Sequence, residues 1–319
     1  MKKISLLMPF GNHSLPLAST IAILNIAQSL GCPLDYQLVS PKNKRNFEMS
    51  PFMVKADTTI AEVTATDLVI VSPIDTNVSI DAVLQEAPQL FEWIRQQYTQ
   101  GAEVVSLCTG AYILAATGLL NGKEAASHFS VMTDLRQRFS EVNWQKDAII
   151  TEKDRVITSG GALSSLNALI YWLLKYYDRH KVLSIAKKLQ IDYPRTSQKP
   201  YYIFSNQKKH QDELVLKVQE YMEQYQGESL NFDTLAERHH ISRRSLNRRF
   251  KSATGESLRS YQQRIIIEKA KEQLEYKNIT VQELAYRLGY VDVASFRNLF
   301  YKVTGTLPNE YQKKFALIR

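Results

Sequence analysis

The chain has 319 residues, of which 44% are hydrophobic and 23% are charged, and its formal net charge is +8. This length suffices for two domains, and the composition is that of an ordinary globular protein, which excludes a disordered or fibrous chain. With only two cysteines, Cys32 and Cys108, a disulfide framework is excluded as well. No apolar stretch is long enough to cross a bilayer, and Pro9 interrupts the first apolar run, so we expect a cytoplasmic protein with no membrane partner.

The first two hundred residues alternate between strand and helix patterns. Short apolar runs predict strands at 4–10, 36–39, 68–71, 103–107, 148–151 and 155–159. Longer periodic stretches predict helices at 17–30, 78–98 and 162–177, and Pro88 is expected to split or kink the second of them. The continuously apolar run at 68–71 is expected to be buried on both faces. The pattern therefore predicts an α/β domain with a parallel, flavodoxin-like sheet over residues 1–189.

A cysteine stands between a strand and a helix in this domain. The strand at 103–107 runs directly into Cys108, and a helix follows as far as about Gly118. A residue on such a sharp turn stands at the carboxyl edge of the sheet, with the N-terminal amides of the helix directed at it. A thiol there is expected to have a lowered pKa and an accessible sulfur. The alternative is a small buried residue without a chemical role.

Residues 190–210 are predicted to link this domain to the rest of the chain. The segment carries Pro194 and Pro200 among polar residues and separates two helical patterns, and its length suits relative motion of two domains. Beyond it the charge changes. Residues 201–319 hold 20 Lys and Arg against 14 Asp and Glu, so most of the basic excess lies in this last part of the chain, as in a nucleic-acid-binding domain.

The last third of the chain contains one pattern twice, about fifty residues apart. Residues 245–250 are followed by a Thr-Gly pair at 254–255 and by Tyr261, and residues 295–300 by a Thr-Gly pair at 304–305 and by Tyr311. A short helical pattern with a Leu-Ala pair precedes each copy, at 235–236 and 284–285. Each copy predicts a helix, a tight turn and a second helix. Residues 211–319 are therefore predicted to form an all-α domain with two helix-turn-helix units.

The second helix of each unit is the candidate for insertion into the major groove of double-stranded DNA. In the first unit, Arg243 and four further basic residues lie in 242–251 with no acidic residue among them. Leu246 and Phe250 fix one face of this helix inward, so Arg244, Asn247 and Arg248 are expected to face the bases and phosphates. A solvated basic helix face is the alternative.

Residues 210–319 resemble the DNA-binding domain of AraC/XylS-type transcription regulators. The resemblance rests on the doubled unit and on the series Tyr290, Phe296, Phe300, Gly305, Pro308 and Tyr311. It implies base contacts in the second unit by Val293, Ala294, Arg297 and Asn298. Ile266 and Gln312 depart from the family pattern. Because two of the implied contacts are apolar, the second unit is expected to read thymine methyl groups or to contribute weaker specificity.

The N-terminal domain resembles the PfpI-like branch of the class I glutamine-amidotransferase-like superfamily, at residues 105–111, 115–122, 127–129 and 158–161. Joined to an AraC-type domain, it resembles the GlxA-type regulators. Enzymes of the superfamily hold a base and an acid near the cysteine and paired glycines after an earlier strand. Here Thr109 follows Cys108, the loop after the first strand has no acid, and Ser72 and Pro73 stand in place of the glycines. The resemblance therefore implies a domain without catalytic residues that has kept its pocket for a small molecule.

Ligands of open α/β sheets bind at the carboxyl ends of the strands. The candidate effector-binding residues at that edge are Asn12, His13, Ser72, Cys108, Thr109, His128 and Ser159. His128 and His13 are the available bases for the thiol, and the alternative for His128 is a partly buried structural histidine. No cofactor and no metal site are predicted, because the histidines of the first turn and the two cysteines do not form a ligand set.

The leading hypothesis is a transcription regulator whose N-terminal domain senses a small-molecule effector and forms a homodimer. Two alternatives stay open. The first is a cysteine-dependent hydrolase or amidase fused to a DNA-binding domain, which hydrolytic turnover would favour. The second is a redox sensor in which oxidation of Cys108 replaces ligand binding, which a response of DNA binding to peroxide would favour.

Overall fold

A computed structural model of the chain has two compact units, Met1–Gln198 and Lys199–Arg319, here called the N-terminal and C-terminal units. It describes residues 1–12, 14–42, 45–49, 52–75, 77–204, 207–208, 210–224 and 230–317. The boundary between the units lies inside the segment 190–210. Across these described ranges no helix is long and apolar enough to cross a membrane, and no three His, Cys, Asp or Glu side chains are grouped to hold a metal ion.

The N-terminal unit contains both strands and helices. Its described strands are β1 (Lys2–Leu7), β2 (Leu34–Ser40), β3 (Asn46–Met49), β4 (Phe52–Lys55), β5 (Thr58–Thr59), β6 (Leu68–Val71), β7 (Glu103–Ser106), β8 (Glu124–Ala125), β9 (Asn143–Trp144), β10 (Ile150–Lys153) and β11 (Val156–Ser159). Its described helices are α1 (Ser14–Ser29), α2 (Ile80–Glu86), α3 (Pro88–Thr99), α4 (Ala111–Ala116), α5 (Met132–Arg138), α6 (Leu166–Tyr176) and α7 (Arg179–Lys188). The predicted helix at 78–98 is thus two helices, because Pro88 cannot continue the first and begins the second.

Seven strands form one sheet in the order β10-β11-β7-β6-β1-β2-β5. β1 pairs in parallel with β2 and β6, and the parallel register continues through β7 to β11. The predicted α/β domain with a parallel sheet is confirmed. One edge departs from the prediction, since β10 runs antiparallel to β11. Asp154 and Arg155, at φ 49° and 62°, join the two strands in a turn too short for the crossover that a parallel pair needs.

The sheet is buried on both faces, as the apolar run of β6 predicts. Leu68 and Ile70 belong to a core formed with α1, α6 and α7, and Val69 and Val71 to a second core formed with α3 and α4. All four side chains are buried. Because helices cover both faces, the strand ends and the loops that follow them are the parts of the sheet available for a site.

The described part of the C-terminal unit is helical, as predicted. Its helices are α8 (Glu213–Gln224), α9 (Phe232–Arg238), α10 (Arg243–Thr254), α11 (Leu258–Tyr276), α12 (Val281–Arg287), α13 (Val293–Thr304) and α14 (Pro308–Phe315). The first helix-turn-helix is α9 with α10, and the second is α12 with α13. α11 contributes Leu258 and Tyr261 to the core of the first and Ala270 and Leu274 to the core of the second. One helix therefore holds both helix-turn-helix units in a single body.

Candidate functional site

The parallel strands all end at the same edge of the sheet, and the loops that follow β1, β6, β7 and β11 meet there. Phe10 after β1 and Ile74 after β6 form a parallel bridge that extends the sheet into these loops. After β7 the chain turns at Cys108, whose φ of 53° lies in the left-handed region, into a short 3-10 turn and then α4. A Cβ on Gly110 would lie 2.6 Å from the carbonyl oxygen of Val71, so only glycine fits where this turn packs on the loop after β6. The predicted sharp turn at Cys108, here called the elbow, is present.

The environment of the Cys108 thiol differs from the prediction. The residue is 9% exposed, and burial raises the pKa of the thiol, although the backbone N–H groups of Ala162 and Thr109 hydrogen-bond its sulfur and lower the pKa. The expectation of a lowered pKa and an accessible sulfur is wrong. Burial disfavours the thiolate more than the neighbouring hydrogen-bond donors favour it, so the environment favours the thiol form of Cys108.

The hydroxyl groups predicted at this edge brace the elbow. Ser159 Oγ accepts a hydrogen bond from Cys108 N at 3.4 Å and donates to Ser106 O at 3.0 Å. Thr109 Oγ1 donates to Ile74 O at 2.8 Å and accepts from Ile74 N at 3.0 Å. Ser72 makes a comparable bond outside the elbow, because its Oγ donates to the carbonyl oxygen of Leu7 at the end of β1, at 2.5 Å. These three side chains are buried and already bonded within the protein, and they shape the edge of the sheet by joining its loops.

The loop after β1 is tied to a carboxylate that the sequence argument did not include in the site. Asp75 is buried, and it accepts hydrogen bonds from Asn12 N at 3.0 Å and from Asn77 N at 2.9 Å. The Asn12 side chain lies at the surface. A Cβ on Gly11 would lie 2.4 Å from Asp75 Cβ. His13, the other predicted residue of this loop, lies outside the described residues.

His128 is half-buried beside the loop that follows β11. Its Nδ1 accepts a hydrogen bond from Ser130 N at 3.2 Å and lies 2.7 Å from Ser130 Oγ, and its ring stacks on Phe129. A Cβ on Gly161 would lie 1.8 Å from His128 Cδ2, so the ring rests directly on the glycine. Burial lowers the pKa of His128. A neutral ring with Nδ1 engaged in this way leaves Nε2 as the nitrogen for a ligand.

Two residues that the sequence argument did not select complete this edge. Ser127 Oγ donates to the carbonyl oxygen of Cys108 at 2.9 Å. Gln198 is buried, and its side-chain amide joins Gly161 to Ser127. Ser127 was part of a recognisable segment, but a hydrogen bond to a backbone carbonyl leaves no sequence signal. Gln198 falls in the predicted linker, where a polar residue is expected to be solvated.

In the first helix-turn-helix, Ser242 begins the recognition helix α10 by accepting a hydrogen bond from Ser245 N. Leu246 and Phe250 are fully buried, as predicted, and Arg244 and Arg248 are exposed. Two of the arginines of α10 form ion pairs with acidic residues. Arg243 Nη1 lies 3.0 Å from Asp233 Oδ2, and Arg249 Nε lies 2.5 Å from Asp212 Oδ2.

Arg244 and Arg248 form no ion pair with any of the described residues. Their guanidinium groups are therefore available to DNA without the loss of an existing partner, in contrast to Arg243, which the sequence placed in the same set. Asn247 is half-buried on the same helix. Because side chains three and four residues apart lie on one face of a helix, Arg244, Asn247 and Arg248 form one surface.

In the second helix-turn-helix, Asp292 begins the recognition helix α13. Its carboxylate accepts hydrogen bonds from Ala294 N at 3.0 Å and Ser295 N at 2.9 Å. Ala294, Arg297 and Asn298 are exposed, whereas Val293 is half-buried against the core of this unit. The exposed face of α13 is therefore less basic than that of α10, and Val293 offers only part of its side chain to a partner.

Comparison with known proteins gives both units a family. A sequence model of the DJ-1/PfpI family matches residues 2–176, and a model described as a helix-turn-helix domain matches residues 235–314. Among solved structures, a transcriptional regulator protein from Vibrio parahaemolyticus covers 59% of this chain and 98% of its own, at 21% identity and a TM-score of 0.53. An AraC family transcriptional regulator from Pseudomonas putida covers 59% of this chain and all of its own, at 12% identity and a TM-score of 0.51. At these identities the two structures show the fold alone.

Several relatives in sequence are named as transcription regulators. GbdR of Pseudomonas aeruginosa is 23% identical over 224 residues, which cover 68% of this chain and 59% of GbdR. ArgR of the same species is 24% identical over 234 residues, which cover 73% of this chain and 71% of ArgR. The chain thus spans less than two thirds of GbdR. Because the first family model covers more than half of the chain, the chain belongs to the DJ-1/PfpI family, and its C-terminal unit carries a helix-turn-helix domain.

Proposed function

We propose that this protein is a transcription regulator that binds double-stranded DNA through its C-terminal unit and a small-molecule effector through its N-terminal unit. The observation that carries the proposal is the pair of helix-turn-helix units fixed on one shared helix, α11. Two recognition helices in one body enter successive major grooves, so one chain reads two short elements about 10 bp apart. We further propose that it binds this DNA in the cytoplasm.

Selection of duplexes from a random library by the full-length protein tests DNA recognition. We expect enrichment of two elements about one helical turn apart. The double variant Arg244→Ala/Arg248→Ala should lose the enrichment. A matched control, Arg243→Ala/Arg249→Ala, removes the same charge from arginines that are ion-paired with Asp233 and Asp212. This control should keep most of the enrichment. Equal loss in both double variants would contradict base reading by α10 and leave only phosphate attraction.

The effector site is proposed at the edge formed by the elbow and His128, and the unit is proposed not to be an enzyme. Burial raises the pKa of Cys108 and lowers that of His128, so neither a thiolate nor an imidazolium is favoured. Thr109 and Ser159, the hydroxyl neighbours of the thiol, are bonded to backbone groups. The same buried, protonated thiol is a poor substrate for oxidation, which also disfavours the redox sensor.

A thermal-shift screen of small metabolites on the full-length protein tests the effector site, because a ligand raises the unfolding temperature by mass action. Each metabolite that binds is then tested on Cys108→Ser. We expect this variant to keep its fold and its DNA affinity without ligand, and to respond differently to the metabolite. An unchanged response would remove Cys108 from the site. Release of an amide or ester product by the wild type would establish the enzyme instead.

The homodimer is proposed to form through the N-terminal unit. Phe52 and Met53 on β4 are 59% and 67% exposed, and large apolar side chains at the surface favour an interface. Light scattering of the full-length protein should give twice the chain mass, and Phe52→Ser/Met53→Ser should give the mass of one chain. A wild type of single-chain mass at micromolar concentration would contradict the dimer.

A further inference from the structure

Gln198 is the last residue of the N-terminal unit, and its side chain is 3% exposed. Among the residues that the structure describes, its amide is hydrogen-bonded to backbone groups. Nε2 donates to the carbonyl oxygens of Ser127, Lys146 and Ala148 at 2.9, 3.1 and 2.9 Å, and Oε1 accepts from Gly161 N at 3.0 Å. A buried amide with both ends bonded is costly to displace, because each lost partner leaves a polar group unsatisfied. The side chain therefore ties three separate segments together.

Two of these segments also hold the elbow. Ser127, whose carbonyl oxygen receives Gln198, donates its own Oγ to the carbonyl oxygen of Cys108 at 2.9 Å. Ala162 follows Gly161 directly and has a φ of 50°, and its backbone N–H lowers the pKa of the Cys108 thiol. Cys108 and Gln198 are thus connected along two short paths, one through Ser127 and one through Gly161 and Ala162.

The loop with Gly160 and Gly161 packs between the side chains of Gln198 and His128. A Cβ on Gly160 would lie 2.7 Å from Gln198 Cδ, and a Cβ on Gly161 would lie 1.8 Å from His128 Cδ2. With no room on either side, a shift of His128 or of this loop displaces Gln198 as well. Close-packed interiors pass small displacements on in this way.

The chain on either side of Gln198 is held within its own unit. On one side, Gln198 N donates to Asp147 O at 3.0 Å, and Ser197 forms an antiparallel bridge with Ala148. On the other side, only Lys199 and Pro200 precede Tyr201, whose ring packs edge-on against Phe315 of α14 at 5.3 Å. Release of Gln198 therefore frees the chain directly at its entry into the DNA-binding unit.

We propose that Gln198 is the positioning residue that couples the effector site to the DNA-binding unit. A small molecule that moves His128 or the Gly160–Gly161 loop breaks hydrogen bonds of the Gln198 side chain. The segment 197–201 then leaves its anchor on the N-terminal unit, and the affinity for DNA changes. The inference rests on the proposed regulatory function and names the route of the regulation.

Hydrogen exchange of the full-length protein, without DNA or ligand, tests whether Gln198 holds the segment 197–201 in place. Gln198→Ala should speed exchange at Gly161, whose N–H donates to Gln198, and also in residues 199–204. The matched control is Thr196→Ala, an exposed neighbour in the same segment, which should leave both regions unchanged. Faster exchange at Gly161 with no change in 199–204 would overturn the proposal, because Gln198 would then only brace the elbow.

A double-mutant cycle tests coupling to DNA binding, on a duplex selected with the wild type. Gly161→Ala perturbs the loop against His128, and Ser127→Ala replaces it if that variant is insoluble. We expect the loop variant to change the Kd for the duplex by about fivefold or more when Gln198 is present and by less than about twofold in Gln198→Ala. Equal changes in both backgrounds would overturn the coupling role. If the wild type selects no duplex, the proposed function fails, and the exchange experiment still decides whether Gln198 links the two segments.

Discussion

Phe250 in the first helix-turn-helix and Phe300 in the second occupy equivalent places, and both are fully buried. Each is followed by a threonine that donates its hydroxyl to the phenylalanine carbonyl oxygen at 2.8 Å. Each recognition helix ends at a glycine in the left-handed conformation, Gly255 and Gly305. The two units thus share a buried phenylalanine, the threonine hydrogen bond that follows it and a left-handed glycine at the end of the helix.

The outward positions of the two units differ. α10 begins at the neutral Ser242 and exposes Arg244 and Arg248, whereas α13 begins at the ionisable Asp292 and exposes Ala294 and Asn298 in the equivalent places. Close packing restricts which residues the interior of a repeat accepts, because a change of even one methylene group there alters stability. Residues on the surface can vary without this cost. The comparison predicts that the first unit supplies more of the charge in DNA binding than the second, in which Ala294 and Asn298 are uncharged.

The largest expected effect tests the shared interior. Phe250→Ala and Phe300→Ala should each lower the free energy of unfolding by about 3–5 kcal/mol, because each leaves a cavity in a closed core. Denaturant titration of the full-length protein, followed by the helical signal, measures both. Tyr301→Ala, at an exposed position of α13, is the control and should change the free energy by less than about 0.5 kcal/mol. Unequal costs for the two phenylalanines would show that the cores are not equivalent.

The next effect separates the two surfaces. Arg248→Ala should weaken binding to a selected duplex by about 1–3 kcal/mol and reduce the salt dependence of binding, since a cation is lost. Asn298→Ala, at the equivalent position of α13, should weaken binding to the selected duplex without altering the salt dependence. Binding isotherms at several salt concentrations distinguish the two. If the salt dependence is unchanged in Arg248→Ala, the division of roles between the units is wrong.

Repetition and apolar spacing made the C-terminal unit predictable from sequence. Leu246 and Phe250, four residues apart and fully buried, fixed which face of α10 is outward, and Arg244 and Arg248 are exposed as that spacing requires. The partners of the other arginines were not predictable. Asp233 lies ten residues from Arg243, and Asp212 lies 37 residues from Arg249, so both ion pairs depend on how the helices pack.

The elbow shows the same limit in the N-terminal unit. The strand, Cys108 and the following helix could be read from a local pattern, and the sharp turn is present. The pKa of the thiol depends instead on burial beneath segments far along the chain, including Ala162 and Ser127, and no local pattern reports it. The hairpin of β3 and β4 was missed because each strand has only four residues, too few for a periodic pattern to stand out.

A smaller effect concerns the turns between the helices. His240 of the first turn has a φ of 54°, and Gly289 takes the equivalent place in the second at 84°. An L residue in this region costs about 1–2 kcal/mol. Gly289→Ala should therefore lower the free energy of unfolding by about 1 kcal/mol, whereas His240→Gly should not lower it. Denaturant titration of both variants gives the signs, and a loss in His240→Gly would mean that its side chain makes a stabilising contact.

The smallest expected effect is on the pH dependence of stability, and it comes from the different N-caps of α10 and α13. Hydrogen bonds from the Ser295 hydroxyl and from the N–H groups of Ala294 and Ser295 hold the pKa of Asp292 below its usual range. A carboxyl whose pKa is lowered by folding stabilises the protein above the unfolded-state pKa, near 3.9, and loses that contribution as pH falls through the folded-state value. Asp292→Ser gives α13 the neutral cap of α10. We expect the wild type to be more stable than this variant at pH 6, and the difference to shrink between about pH 5 and pH 3.

The comparison of wild type with Asp292→Ser isolates this one carboxylate from the others that titrate in the same range. Asp212 also has a lowered pKa, because of its hydrogen bond with Arg249, but it is present in both proteins and cancels in the difference. Denaturant titrations from pH 3 to pH 6 measure the difference at each pH. A difference that stays constant over this range would mean that Asp292 caps α13 through its hydrogen bonds alone and not through its charge, and the two units would then begin their recognition helices in the same way.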